Sequence, residues 1–468
     1  MNKKKELAKN TIIISIGKIC TQLITFLLLP LYTSVLSTKE YGIVDLIATL
    51  VTLLVPIITL QLEQGLFREL IEVREDKEKT SKILSSGINC MLLQIVIFLL
   101  VFTVVSFFIK NEYKYLLAID VVVYIISSIF LQVARGIGSN DKYAFGSFLC
   151  AFSTIAFNIL FLVVFKFGVY GMLYGTILGY VFCACYLFLS IKIYKYYSFR
   201  KAENNVIKKI LKYTIPLVPN AISWWVFNAS DRLIVSTILG LSFTGLLSAA
   251  LKFSNIVTAA YNVFHISWVE SISLHIKDKD ISEFFNSTFN VILSFFVSII
   301  IGIIGFMPFA FPILINNKFA FSYNLIPIAM IAAIFHIIVS LETAVYYGYK
   351  DSKSIANTAV VSAIINVIVH LVLIKIIGLY AAVTSTFVAY FIMSMYRTRD
   401  VGKKYFKICF DRKKVILTFF TMLVIVILYY INNIYLNIIS CFITIVYIVL
   451  MNKKTFKSLL KILKKEGQ

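Results

Sequence analysis

Asp231 and Arg232 stand side by side inside residues 214–239, an apolar run longer than the roughly 20 residues a helix needs to cross a bilayer. A charge in such a place faces a protein interior or a watery cavity, because lipid offers it no partner. Asn220, Trp224, Asn228 and Asp231 follow helical spacing and form one polar stripe. Other apolar runs carry similar stripes. Ser15, Lys18, Gln22 and Thr25 share a face of the first, and Lys252, Asn255, Asn262 and His265 share one of the eighth, with Glu270 near its end. His336, Ser340 and Thr343 line the tenth, with Glu342 on a neighbouring face; Ser362, Asn366 and His370 line the eleventh. Asp45 and Glu63 lie near the two ends of the second. Spacing of three and four turns such groups inward together.

Two kinds of chemistry suit these residues. Arg232, Lys252 and Lys18 are candidates to hold an anionic substrate, since Arg and Lys bind phosphate oxygens strongly where water is scarce. Asp231, Glu63, Glu270, Glu342, His336 and His370, with Asn220, Asn228 and Asn255, are candidate polar groups of a cavity and candidate carriers of a coupling ion, H+ or Na+. Each also has a plainer reading. A buried Asn or Ser can simply join two helices, Lys18 can snorkel to the interface, and Asp231 and Glu63 can neutralise the cations. Catalysis is not indicated: there is no Gly-rich phosphate loop, no His-Glu-x-x-His and no nucleophile elbow. The seven Cys follow neither disulfide nor zinc spacing. No cofactor or metal is expected. Asn228-Ala-Ser230 and Asn286-Ser-Thr288 match a glycosylation pattern by chance, being placed in or against spans.

The elements that must position these groups are membrane helices. The chain has 468 residues, 60% hydrophobic and 15% charged, with a mean hydropathy of +0.88; soluble domains are about 25% charged. The net charge of +22 sits between the apolar runs and at the termini. That is a topology signal and not a nucleic-acid surface, which would need a basic groove with stacking aromatics. About fourteen spans are expected, the first at 10–36 and retained, the second at 42–63, the seventh at 214–239 and the twelfth at 378–396. Of the 45 Lys and Arg, 36 fall on the side of the two termini, six on the other and three inside spans. The positive-inside rule makes both termini cytoplasmic. Outer loops of a few residues leave no room for an extracellular catalytic domain. The basic breaks 192–213 and 397–414, rich in aromatics, suit the surface of anionic headgroups.

An internal repeat divides the chain. Val35-Leu-Ser-Thr-Lys-Glu-Tyr-Gly-Ile is echoed by Ile238-Leu-Gly-Leu-Ser-Phe-Thr-Gly-Leu. Asn158 leads to Gly168-Val-Tyr-Gly171 as Asn366 leads to Gly378-Leu-Tyr-Ala381, and the breaks Arg135–Lys142 and Tyr347–Lys353 precede them. The offset, near 200 residues, spans an even number of helices, so the repeat is parallel. The expected organisation is an all-α polytopic membrane protein. Its lobe of spans 1–6 covers 1–193, a basic linker 194–213 and a second lobe 214–396. A basic loop at 397–414, spans 13 and 14 at 415–451 and a basic tail at 452–468 follow.

Taken together, Pro216-x-x-Pro219, Asp231-Arg232, Leu239-Gly240, Gly245 and Ala250-Leu-Lys252-Phe-Ser254 resemble the Wzx-type polysaccharide biosynthesis proteins. These are lipid-linked oligosaccharide flippases of the multidrug/oligosaccharidyl-lipid/polysaccharide exporter superfamily. Pro30-Leu-Tyr-Thr-x-x-Leu36, Glu40-Tyr-Gly42, Gly65-Leu-Phe-Arg68 and the paired glycine turns belong to the same resemblance, which covers nearly the whole chain. It implies two six-helix lobes in a V with two trailing helices. It also implies transfer of an undecaprenyl-diphosphate-linked repeat unit between leaflets of the cell membrane by alternating access, with ion coupling and polysaccharide assembly machinery as a partner. Asp231, Arg232 and Lys252 carry over from it. An ion-coupled multidrug exporter of the same superfamily is the alternative; a membrane polysaccharide polymerase or glycosyltransferase is a more distant one.

Overall fold

In the computed structural model the chain is described from residue 26 to residue 466, with side chains to Lys453. The stripe Ser15, Lys18, Gln22 and Thr25 therefore lies outside the described residues. Those described form helices joined by short turns, with no strand among them. Among the described residues eleven helices are long and apolar enough to cross a membrane, so this is an all-α polytopic membrane protein. Of the fourteen expected spans, the first falls mostly outside the described residues. Those at 214–239 and 378–396 form helices of spanning length, 22 and 25 residues, that are more polar and are not among the eleven.

The helices are α1 Leu29–Val35, α2 Thr38–Thr59, α3 Leu62–Glu72, α4 Lys77–Ser106, α5 Lys114–Gly136, α6 Asn140–Ile159, α7 Gly168–Ser190, α8 Ile193–Tyr196 and α9 Asn204–Thr214. There follow α10 Leu217–Ile238, α11 Leu241–His275, α12 Ile281–Leu314, α13 Ser322–Gly348, α14 Ser352–Ile377, α15 Tyr380–Lys404, α16 Arg412–Ile431 and α17 Ile434–Glu466. Two compact units result, one of Val35–Ser236 and one of Phe26–Ser34 with the chain from Thr237 onward. The expected boundary lay in the basic linker, before α10. Instead α10 groups with the first unit, because its Arg232 and Trp225 bind Asp45 and the Thr49 carbonyl of α2.

Local signals explain the starts and breaks. Ser37 and Glu40 form a reciprocal capping box that opens α2, satisfying backbone donors that a helix start leaves open. Asp76 accepts from the amides of Glu78 and Lys79 to open α4. The second span was expected to run to Glu63, but α2 stops at Thr59. Pro56 removes a hydrogen bond inside it, and Leu60 and Gln61 then take left-handed conformations, φ 50° and 60°. Glu63 accordingly sits in the first turn of α3. In the first unit Leu62, Leu66 and Leu70 of α3 pack against Leu84 of α4, Ile125 and Ile129 of α5 and Ile210 of α9.

The repeat is visible in the backbone. At the end of α5 the amides of Ile137, Gly138 and Ser139 bond to the carbonyls of Val133, Arg135 and Ala134; at the end of α13 those of Tyr349, Lys350 and Asp351 bond to Val345, Tyr347 and Tyr346. Gly138 and Lys350 both have positive φ. Gly168 and Gly378 open α7 and approach α15 with φ of 56° and 57°, a region that costs a side chain about 1–2 kcal/mol. Asn158 and Asn366 are both buried.

Within the second unit Arg397 is 1% exposed, although the sequence placed it at the head of a basic loop. Helix α15 continues to Lys404 and carries Arg397 into the interior. There Nε and Nη2 donate to Thr358 Oγ1 at 3.0 and 2.6 Å, and Nη1 donates to the Val339 carbonyl and the Thr343 hydroxyl. One guanidinium thus joins α13, α14 and α15. The trailing helices are held by α12: Asn286 and Asn290 pair with the backbone of Lys407, Cys409 and Asp411 through four hydrogen bonds.

Candidate functional site

The break after α2 opens a cavity of about 390 Å³ in the first unit, within the roughly 300–1,000 Å³ of small-molecule sites. Its wall includes Glu63, Gln61, Gln64, Tyr124, Gln132 and Tyr143, with Thr52 and Ser128 between them. The left-handed Leu60–Gln61 pair turns Gln61 toward this space. Such non-glycine conformations cost of order 1–3 kcal/mol and persist where the surroundings hold them. Here the Gln61 amide donates to Thr59 Oγ1, and Gln94 Nε2 of α4 donates to the Thr59 carbonyl at 2.9 Å. The Thr59 hydroxyl also lies 3.1 Å from Glu63 Oε2. Helix α5 supplies the facing stripe: Tyr124, Ser128 and Gln132 are four residues apart. Arg135, three further on, donates to Gln132 Oε1 and lies over the rings of Phe67 and Tyr143. One turn the other way is Asp120, 3% exposed, whose Oδ1 has no hydrogen-bond partner among the described residues. Tyr124 packs edge-on against Tyr180.

Amide groups, hydroxyls and a carboxylate around a space with two aromatic rings can bind a polyhydroxylated group. Gln side chains offer a donor and an acceptor together, and tyrosines join an apolar face to a polar tip. Of the expected site residues that are described, only Glu63 reaches this cavity. The others here escaped the sequence reading, although Asp120, Tyr124, Ser128 and Gln132 make a regular stripe in the fourth expected span, with Arg135 opening the break after it, that the same spacing test finds.

Arg232 stands in an ion pair. Its Nε donates to Asp45 Oδ2 at 2.7 Å and its Nη1 to the Asn228 carbonyl, so its hydrogen-bonded counter-charge is Asp45. Along α10, Asn220, Trp224 and Asn228 are exposed as one stripe, whereas Asp231 is buried and its Oδ1 lacks a hydrogen-bond partner. In the second unit Lys252 is half-buried, and Asn255 and Glu270 are exposed. His265 and His336 come near one another around the buried Tyr261; His265 Nε2 meets the Ser340 carbonyl at 3.0 Å. His370 is fully buried on α14, with neither ring nitrogen hydrogen-bonded among the described residues. Glu342 accepts from the Thr398 hydroxyl beside the Arg397 network and is fully buried. Among the described residues no three His, Cys, Asp or Glu are grouped to hold a metal.

Residues 7–269 match the family of proteins described as "Polysaccharide biosynthesis protein", which is more than half of the chain. The protein belongs to the polysaccharide biosynthesis protein family. No curated protein matches it. Among solved structures it is similar to "Lipid II flippase MurJ, inward closed conformation", at 17% identity and a TM-score of 0.70, covering 97% of this chain and 100% of that one. It is also similar to an inward-facing multidrug resistance MATE family transporter of the MOP superfamily. That likeness has 12% identity and a TM-score of 0.68, covering 83% and 98%. An outward-facing MATE transporter follows at 13% identity and 0.56, covering 84% and 96%. At these identities the likeness is one of fold.

Proposed function

We propose that this protein is a flippase that moves undecaprenyl-diphosphate-linked oligosaccharide repeat units across the cytoplasmic membrane by alternating access, for a surface polysaccharide. The observation that carries the reading is the cavity of the first unit, whose Gln, Tyr and Glu side chains suit sugar hydroxyls. Family membership supports it. So does the coverage of the flippase fold, which takes in 97% of the chain against 83% for the inward-facing multidrug transporter. Arg135, at the cavity wall through Gln132, is the cation that suits an acidic sugar or phosphate; Arg232, neutralised by Asp45, positions α10. Glu63 and the buried Asp120 are the acids on which a coupling ion would act, with H+ or Na+ both open. Both termini lie in the cytoplasm on this reading, and assembly enzymes for the polymer are its partners. A multidrug exporter is the second reading, favoured by the shared fold at a TM-score of 0.68. A cavity rich in amides fits a hydrophobic drug less well than it fits a glycan.

The test is the leaflet position of lipid-linked sugar in cells lacking the protein, read with a probe restricted to the outer face. Full-length repeat units trapped on the inner leaflet, with loss of surface polymer, support the reading and name the sugar. Units that still reach the outer leaflet unpolymerised overturn it and favour a polymerase.

A further inference from the structure

A second cavity, of about 470 Å³, lies in the second unit among α12, α13, α15 and α16. Its wall is apolar, with Val297, Ile334, Phe391, Met395, Phe419 and Met422 prominent. Such a space does not hold water, which needs two to four polar partners, and left empty it forfeits the dispersion contacts of its lining. Polar atoms appear at one end, where Asn290, Ser294 and Lys414 join the wall. Lys414 sits half-buried in the first turn of α16. Its Nζ donates to Ser294 Oγ at 3.2 Å, and among the described residues no carboxylate pairs with it. Asp411 is the nearest acid in sequence, and its carboxylate is turned to the Lys414 backbone amide as the helix cap. Arg412 and Lys413 lie beside it, exposed. An ammonium without a counter-charge at the mouth of a hydrocarbon cavity is complementary to an anionic lipid, and basic pockets between membrane helices hold such headgroups.

We propose that this cavity binds one anionic membrane glycerophospholipid, its phosphate on Lys414 and an acyl chain among Val297, Phe391, Met395 and Phe419. The site is separate from the sugar cavity of the first unit and does not depend on the flippase reading. Its lipid is a resident of the fold and not the cargo.

The full-length protein, purified in detergent and stripped of lipid, would be titrated with phosphatidylglycerol and with phosphatidylcholine and read by native mass spectrometry. One phosphatidylglycerol is expected to bind more tightly than phosphatidylcholine. Lys414→Gln weakens it about fivefold, and the exposed neighbour Lys413→Gln leaves it unchanged. Met395→Trp, which fills the cavity with Lys414 intact, abolishes the tight site and keeps the argument testable if the Lys414 variant does not fold. Equal affinity for the two lipids, or a Lys414→Gln protein that binds as before, overturns the proposal. So does a tight site taken by a polyprenyl phosphate and refused by phosphatidylglycerol, since the cavity would then belong to the carrier.

Discussion

At the scale of single residues, the decisive question is what each buried charge is paired with. Arg232 and Asp45 form a partly buried pair at 2.7 Å, and removing one partner of a buried pair strands the other at a cost of about 3–5 kcal/mol. Asp45→Ala and Arg232→Ala should each lower the thermal unfolding temperature in detergent, and the double variant should lose less than the sum. Additive losses would show that the pair is not an interaction. Gln132→Leu and Arg135→Gln are expected to reduce outward transfer of lipid-linked sugar at least tenfold while the protein stays folded and in the membrane; unchanged transfer would remove both from the site. Asp351 affords a pH test outside the spans. The Ser354 hydroxyl, then its amide, Tyr405 and Lys404, hold its carboxylate down at about 2 from an ordinary 3.8. A depressed carboxylate stabilises the fold fully above the ordinary value, and the contribution fades as pH falls toward 2. The gap in unfolding temperature between wild type and Asp351→Asn should therefore be widest at neutral pH and close between about pH 4 and pH 2. A gap that grows on acidification would contradict that sign.

Element by element, the chain obeys local rules until packing overrides them. Apolar runs became helices, and Gly168 and Gly378 of the repeat recur at matching φ, 56° and 57°, a region that glycine enters without steric cost. Gly168→Ala and Gly378→Ala should each destabilise by about 1–2 kcal/mol. At Gly168 the new methyl also meets Glu40 Oε1 at 3.0 Å, whereas at Gly378, with nothing within 4 Å, the cost is that of the backbone, φ 57° with ψ −132°. Equal unfolding temperatures for wild type and both variants would deny the turns their role. The second span ended early because Pro56 and the polar Gln61–Gln64 cluster favoured a break over continuation. The Pro was readable, but the left-handed pair that aims Gln61 at the cavity rests on Gln94 and Thr59, which only the fold brings together. Arg397 was misplaced for a similar reason. A cation at the edge of an apolar run looks like a loop residue until Thr343 and Thr358, on two other helices, are seen to receive it.

For the whole molecule the remaining expectation is orientation. On the reading of cytoplasmic termini, a cysteine introduced in place of Lys39 or Lys110 in a cysteine-free background should react with an impermeant maleimide from outside intact cells. One in place of Lys279 or Lys413 should react only after permeabilisation, and the reverse pattern would invert the topology. Composition alone determined that this is a membrane protein of many helices, because 60% hydrophobic residues arranged in runs of spanning length can be satisfied only by helices in lipid. The repeat and the family resemblance were legible in the same way, since both rest on residues close together in the chain. Which polar residues share a space was not. Glu63 lies some 70 residues from Gln132 and Arg135, Arg232 lies 187 from Asp45, and Lys414 lies 120 from Ser294. Helical periodicity sets the face a residue occupies on its own helix; which helix stands opposite is decided by the packing of all of them, and that belongs to the tertiary structure.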